Sequence, residues 1–456
     1  MASNTQAAAD PNAPPVTRTL ASFVARHPSK GWSDAVEHEA LRTFLNWFGC
    51  AVGAARHEAA EAALAAVRML EPAPQSTILG RADKVDMASA ALVNGITSHT
   101  FDFDDTHLKT VIHPAGPVAS ALLALAETTG ASGRQLIDAL VLGVDVECRI
   151  GNMMYPEHYA RGWHITGSTG VLGAAAACAR LLALDEERCA WALGIAASQP
   201  IGVREQFGTM TKPFHPGAAA RAGLTAALLA KNGFTASPRA IEAPRGYAQV
   251  VSTKCDWNEI TRDLGKRFEI SLNTYKPFAC GIVIHPTIDA AIQLRAKGVK
   301  PADVARVELA VHPLVLELTG KKEPQDGLQG KFSVYNGFAL GLVFGRAGES
   351  EFTDEIVRRE DIVGLRRKVN ATATPGIDEA AVRVSVTLAD GSRHEVAVEH
   401  AIGSLEKPMS DSDLEAKFHG LADPVIGKAK AASSIAACWT LAGAKNVRAL
   451  CEGARP

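Results

Sequence analysis

The sequence predicts a mainly α protein, with a large all-α helical domain and an inserted smaller α+β lid domain. Three observations support this fold class. Ala- and Leu-rich runs of helix length fill most of the chain from about Leu20 to Arg267. Near residue 273 the pattern changes to the alternation of strands, and after residue 401 Ala-rich helix returns. With 456 residues, of which 47% are hydrophobic, the chain can bury one large core or two smaller ones.

The domain boundaries follow from these changes of pattern. Residues 1–18 lack the basic start and apolar centre of a secretion signal, so we expect a disordered tail. The helical domain is predicted at 19–272 plus 402–456, and the α+β lid domain at 273–401. The clearest helical runs of the first part are Pro117–Thr128, Gln135–Ile150, Thr169–Leu184 and Gly217–Lys231.

Strands are predicted where apolar and polar residues alternate. VARVELAVHP (Val304–Pro313) has this pattern, and so has VRVSVTLADGSRHEVAV (Val382–Val398), which turns at Asp390-Gly391 and therefore predicts a β-hairpin. A Ser N-cap signal in PMSDSDLEAKF (Pro408–Phe418) then begins the C-terminal helices, which continue to Leu450.

Composition favours work on a small molecule. The net charge of −2 gives no reason to expect nucleic acid or an anionic membrane as partner. The eight Cys form no CxxC pair and are interpreted as reduced core residues of a cytoplasmic protein. The longest apolar stretch, Val171–Leu184, is shorter than the roughly 20 residues of a membrane span.

Four motifs carry the groups that do chemistry. HTFDFDDTHLKTVIHPAG (His99–Gly116) contains three His, three Asp and three Thr. The others are GWHITGSTG (Gly162–Gly170), GTMTKPFHPG (Gly208–Gly217) and TYKPFACGIVIHP (Thr274–Pro286). Each pairs a His with Gly, and two place a Lys before a Pro, which predicts a turn at that lysine. Such a density of proton-carrying groups is typical of a functional site.

Alternative interpretations exist for these motifs. DFDDT also fits the nucleophile loop of Mg²⁺-dependent phosphatases, which requires a strand directly before it, and residues 96–101 are a poor strand. GSTGVLG suggests a dinucleotide-binding turn, but no strand precedes it, so close helix packing is preferred. The three Asp could form a helix-capping turn, and His164 taken alone could be an ordinary buried histidine. No HxxxH or HExxH spacing supports a metal, and none is expected.

Taken in this order, the four motifs resemble the MmgE/PrpD family over nearly the whole chain, from about Thr19 to Leu450. The family includes 2-methylcitrate dehydratase, cis-aconitate decarboxylase and iminodisuccinate epimerase. The resemblance implies a cofactor-independent homodimer whose site lies in the cleft between a helical domain and an α+β lid.

The resemblance also implies the site residues. The implied catalytic residues are His113, His164, Asp102, Lys212 and Lys276, and the implied substrate-binding residues are Thr106, His285, His215 and Tyr335. Histidines suit proton transfer near neutral pH, and lysines neutralise substrate carboxylates. His99, His107 and Arg204 are second-rank candidates.

Two departures from the family pattern bear on the reaction. TKPFHPG is closer to the decarboxylase and epimerase members than to the dehydratases, and Tyr335 stands one place before the usual Tyr, with Asn336 at that position.

We expect a lyase acting on a small di- or tricarboxylic acid, decarboxylating cis-aconitate or dehydrating its substrate. The alternative is an epimerase of an imino-dicarboxylate such as iminodisuccinate, and the remote alternatives are a Mg-dependent phosphatase and a non-catalytic sensor.

Overall fold

The computed structural model describes residues 14–456, which form two compact units. The helical unit comprises residues 14–100, 104–273 and 414–456. The mixed unit comprises Phe101–Phe103 and Thr274–Asp413. The predicted mainly α fold class is confirmed, with the larger sheet confined to the C-terminal part.

The first part of the chain is mainly helical, with a few short strands. The helices are α1 (Val16–Arg26), α2 (Asp34–Gly53), α3 (Glu58–Arg68), α4 (Met87–Thr100), α5 (Ala115–Thr129), α6 (Gly133–Met154), α7 (Glu157–Ala160), α8 (Ile165–Leu181), α9 (Glu186–Ala196), α10 (Thr211–Lys231), α11 (Tyr247–Val251) and α12 (Asn258–Thr261). The strands are β1 (Ser76–Thr77), β2 (Lys84–Val85), β3 (Asp105–His107) and β4 (Asn273–Tyr275).

Local sequence signals explain where several of these helices begin. The hydroxyl of Ser33 accepts a hydrogen bond from the Val36 amide at the start of α2. Ser132 and Gln135 form a capping box at the start of α6, and Gly130 ends α5 in the left-handed conformation. These caps fix the long helices that make the core.

Glycines bring α6 and α8 close together. A Cβ at Gly173 would lie only 2.7 Å from Cβ of Glu147, and one at Gly143 would lie 2.6 Å from Cβ of Ala177. GSTGVLG thus lies inside a buried helix, as predicted, and serves close packing. The helix begins at Ile165, before the predicted Thr169.

Two predicted boundaries need correction. The first thirteen residues of the predicted tail lie outside the described residues, but Val16, Thr17 and Arg18 belong to α1. Thr17 is buried, and both its amide and its hydroxyl donate to the Glu242 carboxylate, which stabilises this early start. Helix α10 begins at Thr211 instead of Gly217, because a proline such as Pro213 is tolerated in the first turn of a helix.

The mixed unit carries a four-stranded sheet. Its helices are α13 (His285–Ala296), α14 (Pro313–Thr319), α15 (Gly327–Gly330), α16 (Val334–Phe344), α17 (Asp354–Arg358) and α18 (Glu360–Arg366). Its strands β5 (Val304–Val311), β6 (Val369–Ala373), β7 (Val382–Leu388) and β8 (Arg393–Val398) have the order β6-β5-β7-β8.

The sheet is antiparallel except for the parallel pair β5 and β6. Val384 of β7 pairs with Leu309 of β5 on one side and with Val396 of β8 on the other, and all three are buried. Helices α13 and α16 pack against each other and cover the sheet. The predicted hairpin is confirmed, since β7 and β8 are joined by a turn in which Gly391 has a φ of +86°.

The chain returns to the helical unit at Leu414, within the first of the C-terminal helices. They are α19 (Asp411–Ile426), α20 (Lys428–Trp439) and α21 (Arg448–Gly453). All eight cysteines are free thiols and seven are buried, which confirms their interpretation as reduced core residues. Among residues 14–456, no helix has the combined length and apolarity needed to cross a bilayer.

Candidate active site

Four buried histidines from different elements meet in the helical unit. His99 lies at the end of α4, His113 just before α5, His164 at the N-cap of α8 and His215 in α10. The ring centroid of His99 lies 4.8 Å from that of His113 and 5.6 Å from that of His164. His164 and His215 are 5.1 Å apart. We call these four residues the histidine cluster.

His164 and His215 share a direct hydrogen bond. Their Nδ1 atoms are 2.8 Å apart, so one ring must donate and the other accept. Burial lowers the pKa of His164 well below its usual range, and the charges of His99 and Lys212 lower it further. Burial, with the same two charges, lowers the pKa of His215 to about 4. Both rings are therefore neutral at pH 7.

The hydrogen bonds of His113 fix its tautomer. Its Nδ1 lies 2.6 Å from the carbonyl oxygen of Asp105, so Nδ1 is the protonated nitrogen that donates to this oxygen. The hydroxyl of Thr106 lies 3.3 Å from the same nitrogen, and the His113 amide donates to Thr166. Because Nδ1 is held in this way, Nε2 is the nitrogen suited to proton exchange.

The carboxylate of Asp105 fixes the backbone beside His113. It accepts the amide of Ala115 at the start of α5 and the side-chain amide of Asn273. Burial raises the pKa of Asp105 to about 7, and the neighbouring charge of Asp104 adds to this shift. Asp105 thus positions the loop that holds His113.

Sequence reasoning missed Asp104 and ranked His99 second. Asp104 Oδ2 lies 2.5 Å from His99 Nδ1, and Asp104 Oδ1 lies 3.5 Å from His113 Nδ1. Both Asp104 and His99 are buried. No local signal singles them out, because a run of three Asp does not show which carboxylate meets a histidine.

His99, Asp104 and His113 are also candidate metal ligands. One ligand atom each from His99, Asp104 and His113 can be chosen so that all lie within 4.8 Å of one another. However, Nδ1 of His99 and Oδ2 of Asp104 are 2.5 Å apart, closer than the roughly 3.3 Å between two ligands of a tetrahedral zinc ion. Nδ1 of His113 is taken by a backbone carbonyl. The geometry fits a hydrogen-bonded network better than a metal site.

In the mixed unit, Asp102 and Lys276 form a buried ion pair. Lys276 Nζ donates to Asp102 Oδ1 at 2.7 Å and to the Asp102 carbonyl at 3.1 Å. Asp102 adopts a φ of +51°, a conformation that Asp tolerates better than most residues. Lys331, which the sequence did not single out, donates to the carbonyls of Phe101 and Ala279 and to Glu349. Lys331 therefore holds the backbone next to Asp102.

The two other predicted residues of this unit are also buried. His285 begins α13, and its Nε2 lies 3.4 Å from the carbonyl of Cys280. Burial raises the pKa of the Cys280 thiol, and the Asp102 charge adds to it, which shows that Cys280 lies near the ion pair. Tyr335 lies in α16, with the Lys322 ammonium 5.8 Å from its ring centre.

The remaining candidates of the helical unit are Lys212, His107 and Arg204, and their contacts differ. Lys212 lies in the first turn of α10, which corrects its predicted place in a turn, and its ammonium lies 5.3 Å from the Phe207 ring. His107 bonds Thr110 through one nitrogen and Glu269 through the other, so its role is structural. The Arg204 guanidinium stacks on Tyr159 at 4.1 Å.

Comparison with known proteins identifies the family of this chain. A model of the MmgE/PrpD N-terminal domain matches residues 18–260, and a model of the MmgE/PrpD C-terminal domain matches residues 278–441. The chain belongs to the MmgE/PrpD family. The helix α4, which runs to Thr100 directly before DFDDT, also removes the strand that the phosphatase alternative requires.

Relatives within the MmgE/PrpD family are named lyases. The chain is 27% identical to a cis-aconitate decarboxylase of Aspergillus terreus over 428 residues, which cover 87% of each chain. It is 28% identical to the mouse cis-aconitate decarboxylase over 77% of this chain and 75% of that one. It is 24% identical to the 2-methylcitrate dehydratase of Escherichia coli K12, over 79% and 80%. At this coarse level, the prediction of a lyase agrees with these relatives.

Proposed function

We propose that this MmgE/PrpD protein is a cofactor-independent lyase of small di- or tricarboxylic acids, with decarboxylation of a cis-aconitate-like substrate as its reaction. The observation that carries the proposal is the buried histidine cluster, in which His113 has a defined tautomer and His164 and His215 are neutral at pH 7. Such a set of imidazoles can donate and accept protons beside a carboxylate.

The relatives favour decarboxylation over dehydration. The named decarboxylases match with higher identity than the 2-methylcitrate dehydratase of Escherichia coli K12. TKPFHPG also resembles the form of this motif in the decarboxylase and epimerase members more than that in the dehydratases. The same enzyme is proposed to work as a homodimer in the cytoplasm, and light scattering tests the dimer.

The proposed step is loss of carbon dioxide followed by protonation. As the C–C bond to the carboxylate breaks, its electron pair forms a new C=C bond, and the electron pair of the original C=C bond moves to the alkene carbon beside a remaining carboxylate. The Nε2 proton of His113 is then transferred to that alkene carbon. The negative charges of the substrate favour the protonated form of His113. Lys212 and the Thr106 hydroxyl bind carboxylate oxygens of the substrate. Lys276, His285 and Tyr335 are also assigned to substrate binding, and Asp102 holds Lys276 in place.

The first test is proton NMR in D₂O with purified protein and no added metal or nucleotide. The substrates are cis-aconitate, citrate, 2-methylcitrate and iminodisuccinate, offered separately, with and without EDTA. We expect cis-aconitate to lose CO₂ and to gain one deuterium beside a remaining carboxylate, at a rate that EDTA does not change.

Other results would redirect or overturn the proposal. Loss of water from 2-methylcitrate would replace decarboxylation by dehydration, and deuterium uptake by iminodisuccinate without any loss would replace it by epimerisation. No reaction with any of the four substrates, from folded protein, would overturn the proposed substrate class. Activity that disappears in EDTA would contradict cofactor independence.

A further inference from the structure

Asp104 is a carboxylate that faces two rings of the histidine cluster, and His99 is the ring it bonds directly. We propose that His99 and Asp104 form a charged positioning pair that takes up the proton of the cluster and keeps His164 and His215 neutral, ready to accept a proton. The chemical purpose of the pair rests on the proposed function. Its electrostatic effect does not, because it can be measured without substrate.

The geometry of the pair favours an imidazolium at His99. His99 is 1% exposed and Asp104 is 0% exposed, so an ionised carboxylate at this place requires a cationic partner. The partner is the His99 ring, whose Nδ1 lies 2.5 Å from Asp104 Oδ2. Hydrogen bonding to a carboxylate at this distance stabilises the protonated form of a histidine.

The position of His99 lets this charge act on the rest of the cluster. Its ring centre lies 5.6 Å from that of His164, inside a region from which water is excluded. At such a distance two positive charges repel strongly in a partly buried environment. A proton on His99 therefore opposes a second proton on His164.

Other charged and titratable groups face His164 from the elements packed around it. They are His113 from the segment before α5, and Lys212 and His215 from α10. Burial lowers the pKa of His164 most, and the charge of His99 lowers it next, ahead of that of Lys212. The pKa of His215 is lowered by the same causes in the same order. Among the neighbouring charges, His99 thus lowers the pKa of both rings most.

Neutrality matters because of the contact between the two rings. The Nδ1 atoms of His164 and His215 are 2.8 Å apart, so two protonated rings would oppose N–H to N–H. With both rings neutral, one Nδ1 keeps its lone pair and the hydrogen bond holds. A fixed charge on His99 then preserves both the bond and the capacity of His164 to take up a proton.

The experiment is an NMR titration of the full-length protein labelled with ¹³C at histidine Cε1. Signals of His164 and His215 are assigned from His164→Gln and His215→Gln, and their midpoints are followed from pH 3 to pH 8 without substrate. We expect both midpoints to rise by about one pH unit in His99→Gln, because the positive charge is lost. A rise in the same direction is expected in Asp104→Asn, where His99 loses the partner that stabilises its charge.

His158→Gln is the matched control. His158 is a buried histidine that bonds the Val251 carbonyl and Ser168 and lies outside the cluster. Its loss should leave the midpoints of His164 and His215 unchanged, even if it lowers stability. Rates of deuterium uptake by cis-aconitate are measured over the same pH range. Their acidic limb should move to higher pH in His99→Gln and Asp104→Asn and stay in place in His158→Gln.

Each result is decisive. Midpoints that stay unchanged in folded His99→Gln and Asp104→Asn would overturn the pair, even if both variants lose activity. A shift in His99→Gln with none in Asp104→Asn would overturn the role of Asp104 as partner. Shifts in both variants, combined with a wild-type protein that reacts with no carboxylate, would support the pair and overturn only the proposed function.

Discussion

His107, His158 and His113 are all buried, yet their ring nitrogens are engaged differently. His107 and His158 use both nitrogens to hold neighbouring segments. His113 is held through Nδ1 by a backbone carbonyl, which orients Nε2 as the nitrogen for proton exchange. At the scale of residues, the hydrogen-bond partners therefore separate scaffold histidines from those that do chemistry.

Replacement of His113 tests its proposed part in proton transfer. His113→Ala should lower kcat by at least about a hundredfold, because the proton donor is lost. His113→Gln retains a donor for the Asp105 carbonyl but cannot titrate, so it should lose as much. Both are measured by steady-state kinetics on the active substrate. A change confined to KM in both variants would exclude the role.

Glu147 gives a prediction for the pH dependence of stability. It is fully buried, and within residues 14–456 neither of its carboxylate oxygens has a hydrogen-bond partner. Burial raises its pKa well above the usual range, and the Asp105 charge adds to this. Such a group lowers the free energy of unfolding as pH rises above its pKa in the unfolded chain, about 4.3.

Glu147→Gln should therefore become more stable relative to the wild type between pH 4.5 and pH 8. The difference should grow by at most about 1.4 kcal/mol per pH unit. Urea unfolding at several pH values measures it. Glu395→Gln, which alters an exposed glutamate of β8, should show little growth. A difference independent of pH would mean that Glu147 ionises normally in the folded protein.

Sequence reasoning singled out candidate residues that stand within recognisable motifs, such as His113 and His164. It missed Asp104, because the role of that residue comes from side chains brought together by folding. A run of three Asp is also typical of a capping turn, and spacing alone does not tell which of them meets a histidine. The pairing of Asp102 with Lys276 joins residues 174 positions apart and leaves no local signal.

At the scale of elements, Ala- and Leu-rich runs of helix length predicted the long helices, and alternation of apolar and polar residues predicted the hairpin. Helices α5 and α8 are buried on all sides, which fits their largely apolar composition. Starts of helices were harder to predict. Helix α10 begins at Thr211, because Pro213 is accepted in its first turn, and it continues through Pro216, whose ring lies close to Gly116 of α5. Tertiary packing thus decides what local preference leaves open.

The loop between β3 and α5 contains a strained residue. Val111 has a φ of +53°, which is unfavourable for a β-branched side chain. The loop is closed by the His107 amide, which donates to the Ile112 carbonyl at 2.7 Å. Val111→Gly should raise the midpoint of thermal unfolding, since the strain it relieves, roughly 1–2 kcal/mol, exceeds the added entropy of glycine.

Lys30→Gly is the comparison for Val111→Gly, because Lys30 has a similar φ of +54° without a branched Cβ. Its gain in thermal stability should be smaller. A lower unfolding midpoint in Val111→Gly would show that contacts of the valine side chain outweigh the backbone strain.

At the scale of the whole molecule, the C-terminal helices complete the helical unit. Phe418 of α19 is buried and stacks on Phe48 of α2, with ring centres 6.2 Å apart. It also lies against Gly49, where an added Cβ would meet the ring at 2.7 Å. The last segment of the chain thus packs on one of the first helices.

Phe418→Ala should lower the free energy of unfolding by about 3–5 kcal/mol, because it opens a cavity in this contact. Chemical denaturation followed by circular dichroism measures the loss. Leu229→Ala, which shortens a residue of α10 that is 37% exposed, should cost far less. Equal losses in the two variants would contradict a central place for Phe418.

The chain enters the mixed unit twice, first for Phe101–Phe103 and again for Thr274–Asp413. This has a consequence for recombination between relatives. A single crossover near residue 273 would transfer Lys276 but not Asp102, and would also exchange the last three helices. A chimaera that transplants residues 274–413 as one cassette keeps the ion pair only when the recipient gene already encodes Asp at position 102. Whether the two partners are inherited together thus depends on where a crossover falls, although their chemistry requires both.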